Sequence, residues 1–336
     1  MKYFRSPRVA RRALVCVVLL HAAPVRANDT SAALTAGGLV FGKTNDIEMR
    51  SEDLSISEKE IVVRYRFFNR ASADQTIVVA FPMPDVDFTD ANNIVVPDDE
   101  SDNFLGFRTM ADGAPVKADV EQKAIVAGKD VTARLKALNI PLLPRANRTH
   151  AALDGLPKDR QKQLEAEKIV RADDFDQGKG MEHHIAPEWT LKQNYYWKQT
   201  FPAGREISIE HRYTPSVGGT VQTSVNDRNV DAQTKRDYQT RFCADADFIK
   251  SVAAMTRRNK GTPPPEWRLS YVLTTGANWA GPIGDYRLTV DKGRPDALVS
   301  FCETGVKKIG PTRFEVRRQN FTPTRDIDIM IVRTGE

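Results

Sequence analysis

Apolar and polar residues alternate with a period of two over most of the chain. Ile61, Val63, Tyr65 and Phe67 fall on one parity, and Val62, Arg64, Arg66 and Phe68 on the other. That pattern predicts a strand with one buried and one half-wet face. Turn residues follow at 69–74. Ile77, Val79 and Phe81 then form the next inward set, until Pro82 and Pro84 stop the strand by removing ladder donors. The stretch 189–213 repeats the design. Trp189, Leu191, Tyr195, Trp197 and Phe201 share one parity; after Pro202-Ala203-Gly204, Ile207, Ile209, His211 and Tyr213 share another. Each pair of runs predicts an antiparallel hairpin with an aromatic inner face, suited to the walls of a sandwich. Residues 47–57 predict one or two further strands. Short alternating runs return at 267–273, 286–290, 299–301, 314–316 and 327–331, separated by Gly- and Pro-rich turns.

Between these strand regions the period changes. Asp130 can cap a short helix carrying Val131, Leu135 and Leu138, ended by Asn139 and Pro141, and Pro157 can start another running through Leu164 to about Val170. The stretch 145–155 between them reads as a loop. Residues 231–257 also read as helical, with Tyr238, Phe242, Phe248, Ile249, Val252 and Met255 apolar and a cap at Asp245. The expected fold is mainly β with helical insertions, a β-rich α+β chain of two antiparallel β-sandwich-like domains. Residues 28–230 form the first, with a helical and irregular insertion at about 126–188. Residues 231–336 form the second, a helix followed by strands.

The first 27 residues change the reading of charge and compartment. Lys2, Arg5, Arg8, Arg11 and Arg12 precede an apolar run from Ala13 to Ala23, and Val25-Arg26-Ala27 follows. This is the layout of a secretory signal cleaved after Ala27; retained, the segment would act as an anchor. The apolar run is shorter than the roughly 20 residues a span needs, and no later segment is long and apolar enough to cross a bilayer. Six of the 49 basic residues and none of the 44 acidic ones lie in 1–27, so 43 face 44 after cleavage and the net charge falls from +5 to −1. The basic pI of the whole chain therefore gives no reason to expect nucleic acid. Cys16 leaves with the signal. Cys243 and Cys302 remain, and in an oxidising compartment two cysteines are expected to pair.

Candidate chemistry concentrates at 173–184. Glu182, His183 and His184, with Asp174 and Asp176 nearby, are ligand types for zinc or copper. Adjacent histidines on a strand point to opposite faces, however, and no HExxH occurs. The run Asp173-Asp174-Phe175-Asp176-Gln177-Gly178 lacks the spacing of a calcium loop, and position 185, where that loop would need Glu, is Ile. The acidic stretch 98–102 reads as a solvated loop, and His150 and His211 stand singly. Asn28, Asn147 and Asn320 begin N-x-Thr sequons. No GxSxG, P-loop or helix-opening GxGxxG is present.

The series GGLVF, IEMRSEDLSIS, IVVRYRFFN and VVAFPMPD across 37–85 resembles the bacterial domain-of-unknown-function family numbered 4424, as do Cys243 and the aromatic stretch near 195–213. The resemblance implies an exported protein of Gram-negative bacteria with no assigned activity and no catalytic residues to carry over. The strand–Asn–turn–strand–FPMP pattern is also loosely similar to the vault/inter-alpha-trypsin β-domain. The expectation is an exported, periplasmic or secreted, non-catalytic binding or scaffolding protein. Its partner would be an envelope protein or ligand, it would need no cofactor, and the 126–188 insertion would be its interaction surface. The alternative is an exported metal-assisted or carboxylate hydrolase with its site near 173–184.

Overall fold

The computed structural model describes residues 29–35, 38–88, 93–176, 178 and 180–334; the signal segment and its cleavage position at Ala27 lie outside the described residues. The chain is mainly β with helical insertions, as its periodicity predicts. An eight-stranded sheet runs in the spatial order Lys307–Lys308, Arg313–Phe321, Ile283–Asp291, Ile47–Ser57, Ile61–Asn69, Glu206–Tyr213, Arg108–Ala111 and Ala114–Val116. A six-stranded sheet runs Gly38–Gly42, Thr30–Thr35, Gln75–Pro82, Thr190–Phe201, Asp119–Val126 and Lys129–Asp130. A four-stranded sheet is built from Gly218–Thr220, Glu266–Tyr271, Ile327–Val332 and Leu298–Phe301.

The inward parities hold. Ile61, Val63, Tyr65, Phe67, Ile207, Ile209, His211 and Tyr213 are buried, whereas Arg64 and Arg66 are exposed. Aromatic rings close the space between the two large sheets. Phe107 stacks on Tyr195 at 4.1 Å, Phe67 meets Phe201 at 5.8 Å, and His211 lies edge-on to Trp197 at 5.3 Å. Such residues each bury on the order of 150–250 Å², and they set the sandwich spacing.

The expected hairpins are not hairpins. Ile61–Asn69 lies in the eight-stranded sheet and Gln75–Pro82 in the six-stranded one; Thr190–Phe201 and Glu206–Tyr213 divide the same way. Each turn carries the chain from one layer to the other, and the two corners stack, pairing Tyr65 with Ile209 and Val79 with Trp197. Asn69 holds the junction. Fully buried, it donates through Nδ2 to the carbonyls of Ala73 (2.9 Å) and Phe201 (2.8 Å), while its own carbonyl accepts from the Gly204 amide. A buried amide that satisfies both corners favours them over a local ladder.

The C-terminal strands do not keep to their own sheet. Ile283–Asp291 pairs in parallel with Ile47–Ser57, so the sheet crosses the boundary expected at 230. A Cβ on Gly284 would lie 2.6 Å from the Arg50 carbonyl oxygen, so only glycine permits this approach. The region 126–188 is inserted between two paired strands of the six-stranded sheet and carries helices Thr132–Lys136, Asn147–Asp154 and Lys158–Ala166. The second replaces the loop expected at 145–155. Its start is held from a distance: Asp99 Oδ2 accepts from the Asn147 amide at 3.1 Å, and Arg148 donates to the Asp99 carbonyl and to Asp102. The acidic stretch 98–102 therefore caps a helix. Asp231 and Asp245 cap Ala232–Thr240 and Ala246–Arg258. Cys243 sits between those helices with φ +52°, not within one, and is bonded to Cys302.

Candidate functional site

The 173–184 residues do not converge. His183 Nδ1 lies 2.6 Å from Asp174 Oδ1, with Glu165 Oε1 3.7 Å from its Nε2. His184 turns elsewhere, its Nδ1 2.7 Å from Asp154 Oδ2 and its Nε2 3.4 Å from Glu182 Oε2. Asp176 folds back on its own turn, accepting from the Gly178 and Gly180 amides. The two imidazoles serve two separate carboxylate sets, and no group of three His, Cys, Asp or Glu able to hold a metal occurs among the described residues. Hydrogen bonding to Asp154 raises the His184 pKa. His150 packs on Phe88 at 4.7 Å, and burial lowers its pKa.

His211 is sealed in the core. Its Nε2 lies 3.0 Å from Asp29 Oδ1, and neither side chain reaches solvent. The Asp29 carbonyl accepts from Trp279 Nε1 at 2.6 Å. Beside this pair, the Tyr65 and Tyr271 hydroxyls are 3.0 Å apart, and Tyr271 reaches buried Glu52 at 3.4 Å. Burial carries both tyrosines well above their ordinary pKa. This polar thread ties the sheets together.

Two openings carry chemistry. A groove of about 580 Å³ lies on the outer face of the eight-stranded sheet. Its charges answer one another across neighbouring strands: Arg64 with Glu210 at 2.6 Å, Arg66 with Glu206 at 2.8 Å, and Arg287 with Glu315 at 3.0 Å and Asp53 at 3.6 Å. It is the wet face of the sheet.

The second opening, about 100 Å³, is a crevice between the end of the FPMPD run and the four-stranded sheet. The prolines release the chain from its strand. Val86 then pairs with Leu191, the Leu191 amide donating to the Val86 carbonyl at 2.7 Å, and Asp85 and Asp87 flank it. Both acids line the crevice, over a floor that includes Phe104 and Tyr213. Lys192 holds Asp85 at 2.7 Å.

Arg241, Arg268 and Ser270 form the opposite wall. Arg268 is fixed by fully buried Glu266, to which its Nε donates at 2.5 Å; Glu266 also accepts from Thr223 (2.6 Å) and Tyr238 (2.9 Å). Burial acts to lower the Arg268 pKa, and Glu266 with Tyr238 outweighs it, leaving the guanidinium above its ordinary value. Arg241 spends Nη2 on Asp328 (2.9 Å) and Ser270 (3.2 Å). Between the walls, the Ser216 hydroxyl is buried with no hydrogen-bond partner among the described residues.

None of these residues stood out in the sequence. Arg268 sits between apolar Trp267 and Leu269 and reads as an ordinary wet-face residue, and Ser216 carries no pattern. The nearest signal was the FPMPD run, whose final Asp85 reaches the crevice.

A family model described as a domain of unknown function, DUF4424, matches residues 27–330. No curated protein matches. A solved structure from Legionella pneumophila subsp. pneumophila str. Philadelphia 1, named "putative nutrient binding protein", is 15% identical, with a TM-score of 0.43 over 91% of this chain and 70% of that one.

Proposed function

The chain belongs to the DUF4424 family, and from that premise we propose that it is an exported, non-catalytic binding protein of the cell envelope. It acts in the periplasm, or outside the cell, after loss of residues 1–27. Its ligand sits in the crevice between Asp85/Asp87 and Arg241/Arg268. The carrying observation is the crevice itself, which Asp85, Asp87, Arg241 and Arg268 line together and which therefore bears both signs of charge. Three further observations fit this reading: a disulfide, no described helix long and apolar enough to cross a membrane, and a polar core network closed to substrate. A hydrolase at 173–184 fits less well, because the two imidazoles turn to separate carboxylates and do not converge on one point.

The test is native mass spectrometry of protein purified from a periplasmic extract without chelators. The expected mass starts at Asn28, is two hydrogens light, and carries a non-covalent adduct. Ser216→Val, which fills the crevice, is expected to lose the adduct while keeping its circular dichroism. An adduct-free mass, with no thermal shift across a metabolite library, overturns the reading.

A further inference from the structure

We propose that the crevice takes a small zwitterion, a short carbon frame bearing one carboxylate and one ammonium group, as in the smaller amino acids. The inference rests on the binding reading above and narrows it to a ligand class. Size sets the first limit. At about 100 Å³ the cavity is well below the roughly 300–1,000 Å³ of sites for drug-sized ligands, so the guest has only a few heavy atoms.

Charge sets the second. The lining carries two carboxylates, Asp85 and Asp87, on one wall and two guanidiniums, Arg241 and Arg268, on the other. A phosphate or other dianion would meet the aspartates, and a divalent cation or plain amine would meet the arginines; like-charge juxtaposition excludes such partners. Each of these charges already has a partner in the chain, Lys192 for Asp85, Arg145 for Asp87, Asp328 for Arg241 and Glu266 for Arg268, and a fully apolar guest would desolvate these pairs and add no polar contact in return. A guest with both charges answers both walls.

Unused valence sets the third. Arg241 engages only Nη2, which leaves Nε and Nη1 without acceptors among the described residues. Arg268 likewise has no partner at Nη1, and its plane is fixed by Glu266. These donors suit a carboxylate, which guanidinium groups bind with paired, charge-assisted hydrogen bonds. Opposite them, Asp85 engages one carboxylate oxygen with Lys192 and keeps the other for an ammonium group. Phe104 and Tyr213 give the carbon frame an apolar floor.

The experiment is isothermal titration of the mature protein, refolded free of ligand, with glycine, L-alanine and L-serine. Ethylamine, propionate, glycerol and inorganic phosphate are titrated in the same buffer. The expected result is that at least one amino acid binds at least about tenfold more tightly than every other probe. Asp85→Asn and Arg241→Gln should each weaken it by about tenfold or more, the worth of one charge-assisted hydrogen bond. Asp85→Asn is the safer variant, because Asp85 is exposed and lies outside the core. Equal or tighter binding of propionate, ethylamine, phosphate or glycerol overturns the zwitterion. So does full amino-acid affinity in Asp85→Asn. In each of these cases a ligand lost in Ser216→Val leaves the binding reading standing. No binding of any probe overturns the zwitterion alone if purified protein carries another adduct in the crevice, and overturns both readings if it carries none.

Discussion

His211 Nε2 and Asp29 Oδ1 are 3.0 Å apart in a core where both side chains are fully buried. The contact pins the start of the Thr30–Thr35 strand against the eight-stranded sheet, 182 residues away in sequence. Burial raises the Asp29 pKa above its ordinary value, against the opposing pull of His211. A carboxyl with a raised folded pKa binds its proton more tightly folded than unfolded. Its contribution to stability is therefore full below the unfolded value and is lost as pH rises through the folded one. Asp29→Asn keeps the shape and removes the titration. The expected outcome is that wild type gains stability relative to Asp29→Asn as pH falls from 7.5 to 4.5, read from urea midpoints. A difference that is flat in pH, or grows toward alkaline pH, would show that Asp29 does not titrate in this way.

Asn69 should be the most sensitive polar residue of the fold. Its amide satisfies buried carbonyls of both corners, at Ala73 and Phe201. Asn69→Ala leaves these acceptors unpaired, and each buried orphan costs about 1–3 kcal/mol. A loss of roughly 2–5 kcal/mol is expected by chemical denaturation. A change below about 0.5 kcal/mol, the usual range of a neutral surface substitution, would mean that the corners are held by the aromatic core alone.

Asn69 also marks what could and could not be read in the sequence. The inward faces of 61–67 and 207–213 were legible because a period of two assigns faces without reference to a partner. The pairing was not. The turns at 70–74 and 202–205 permit a hairpin or a corner, and the choice rests on a hydrogen bond to Phe201, 132 residues away. The helix Asn147–Asp154 was missed for the same reason, since Asp99 caps it from another loop. The crevice was illegible because its charges come from three stretches of chain, around 85, 241 and 268, that only the fold brings together.

His184 should titrate above an ordinary imidazole. Hydrogen bonding to Asp154 favours the cation, with Glu182 adding to it. Its partnership with helix Asn147–Asp154 is therefore complete below about pH 6.5, the unperturbed value, and is lost as pH rises through the raised one. Two-dimensional NMR of the histidine ring should give a midpoint above that value, returning toward it in Asp154→Asn. A midpoint at or below it in wild type would mean that the contact does not persist in solution.

The disulfide bears on both stability and the crevice. Cys243 and Cys302 are 59 residues apart, and closing such a loop removes unfolded-state entropy worth about 4 kcal/mol in the chain-entropy model. Arg241 lies two residues before Cys243, in a segment also held by Arg325, whose Nη2 donates to the Thr240 carbonyl at 2.8 Å. The bond therefore fixes the base of the guanidinium wall. The double variant Cys243→Ser/Cys302→Ser should lose roughly that much stability in urea, and should bind the crevice ligand more weakly at temperatures where it is still fully folded. Arg325→Gln, which removes the second tether and leaves the sulfurs in place, should weaken binding in the same direction by less. Full affinity in the folded double variant would show that the Asp328 pair at 2.9 Å positions Arg241 without help, and would confine the role of the disulfide to stability.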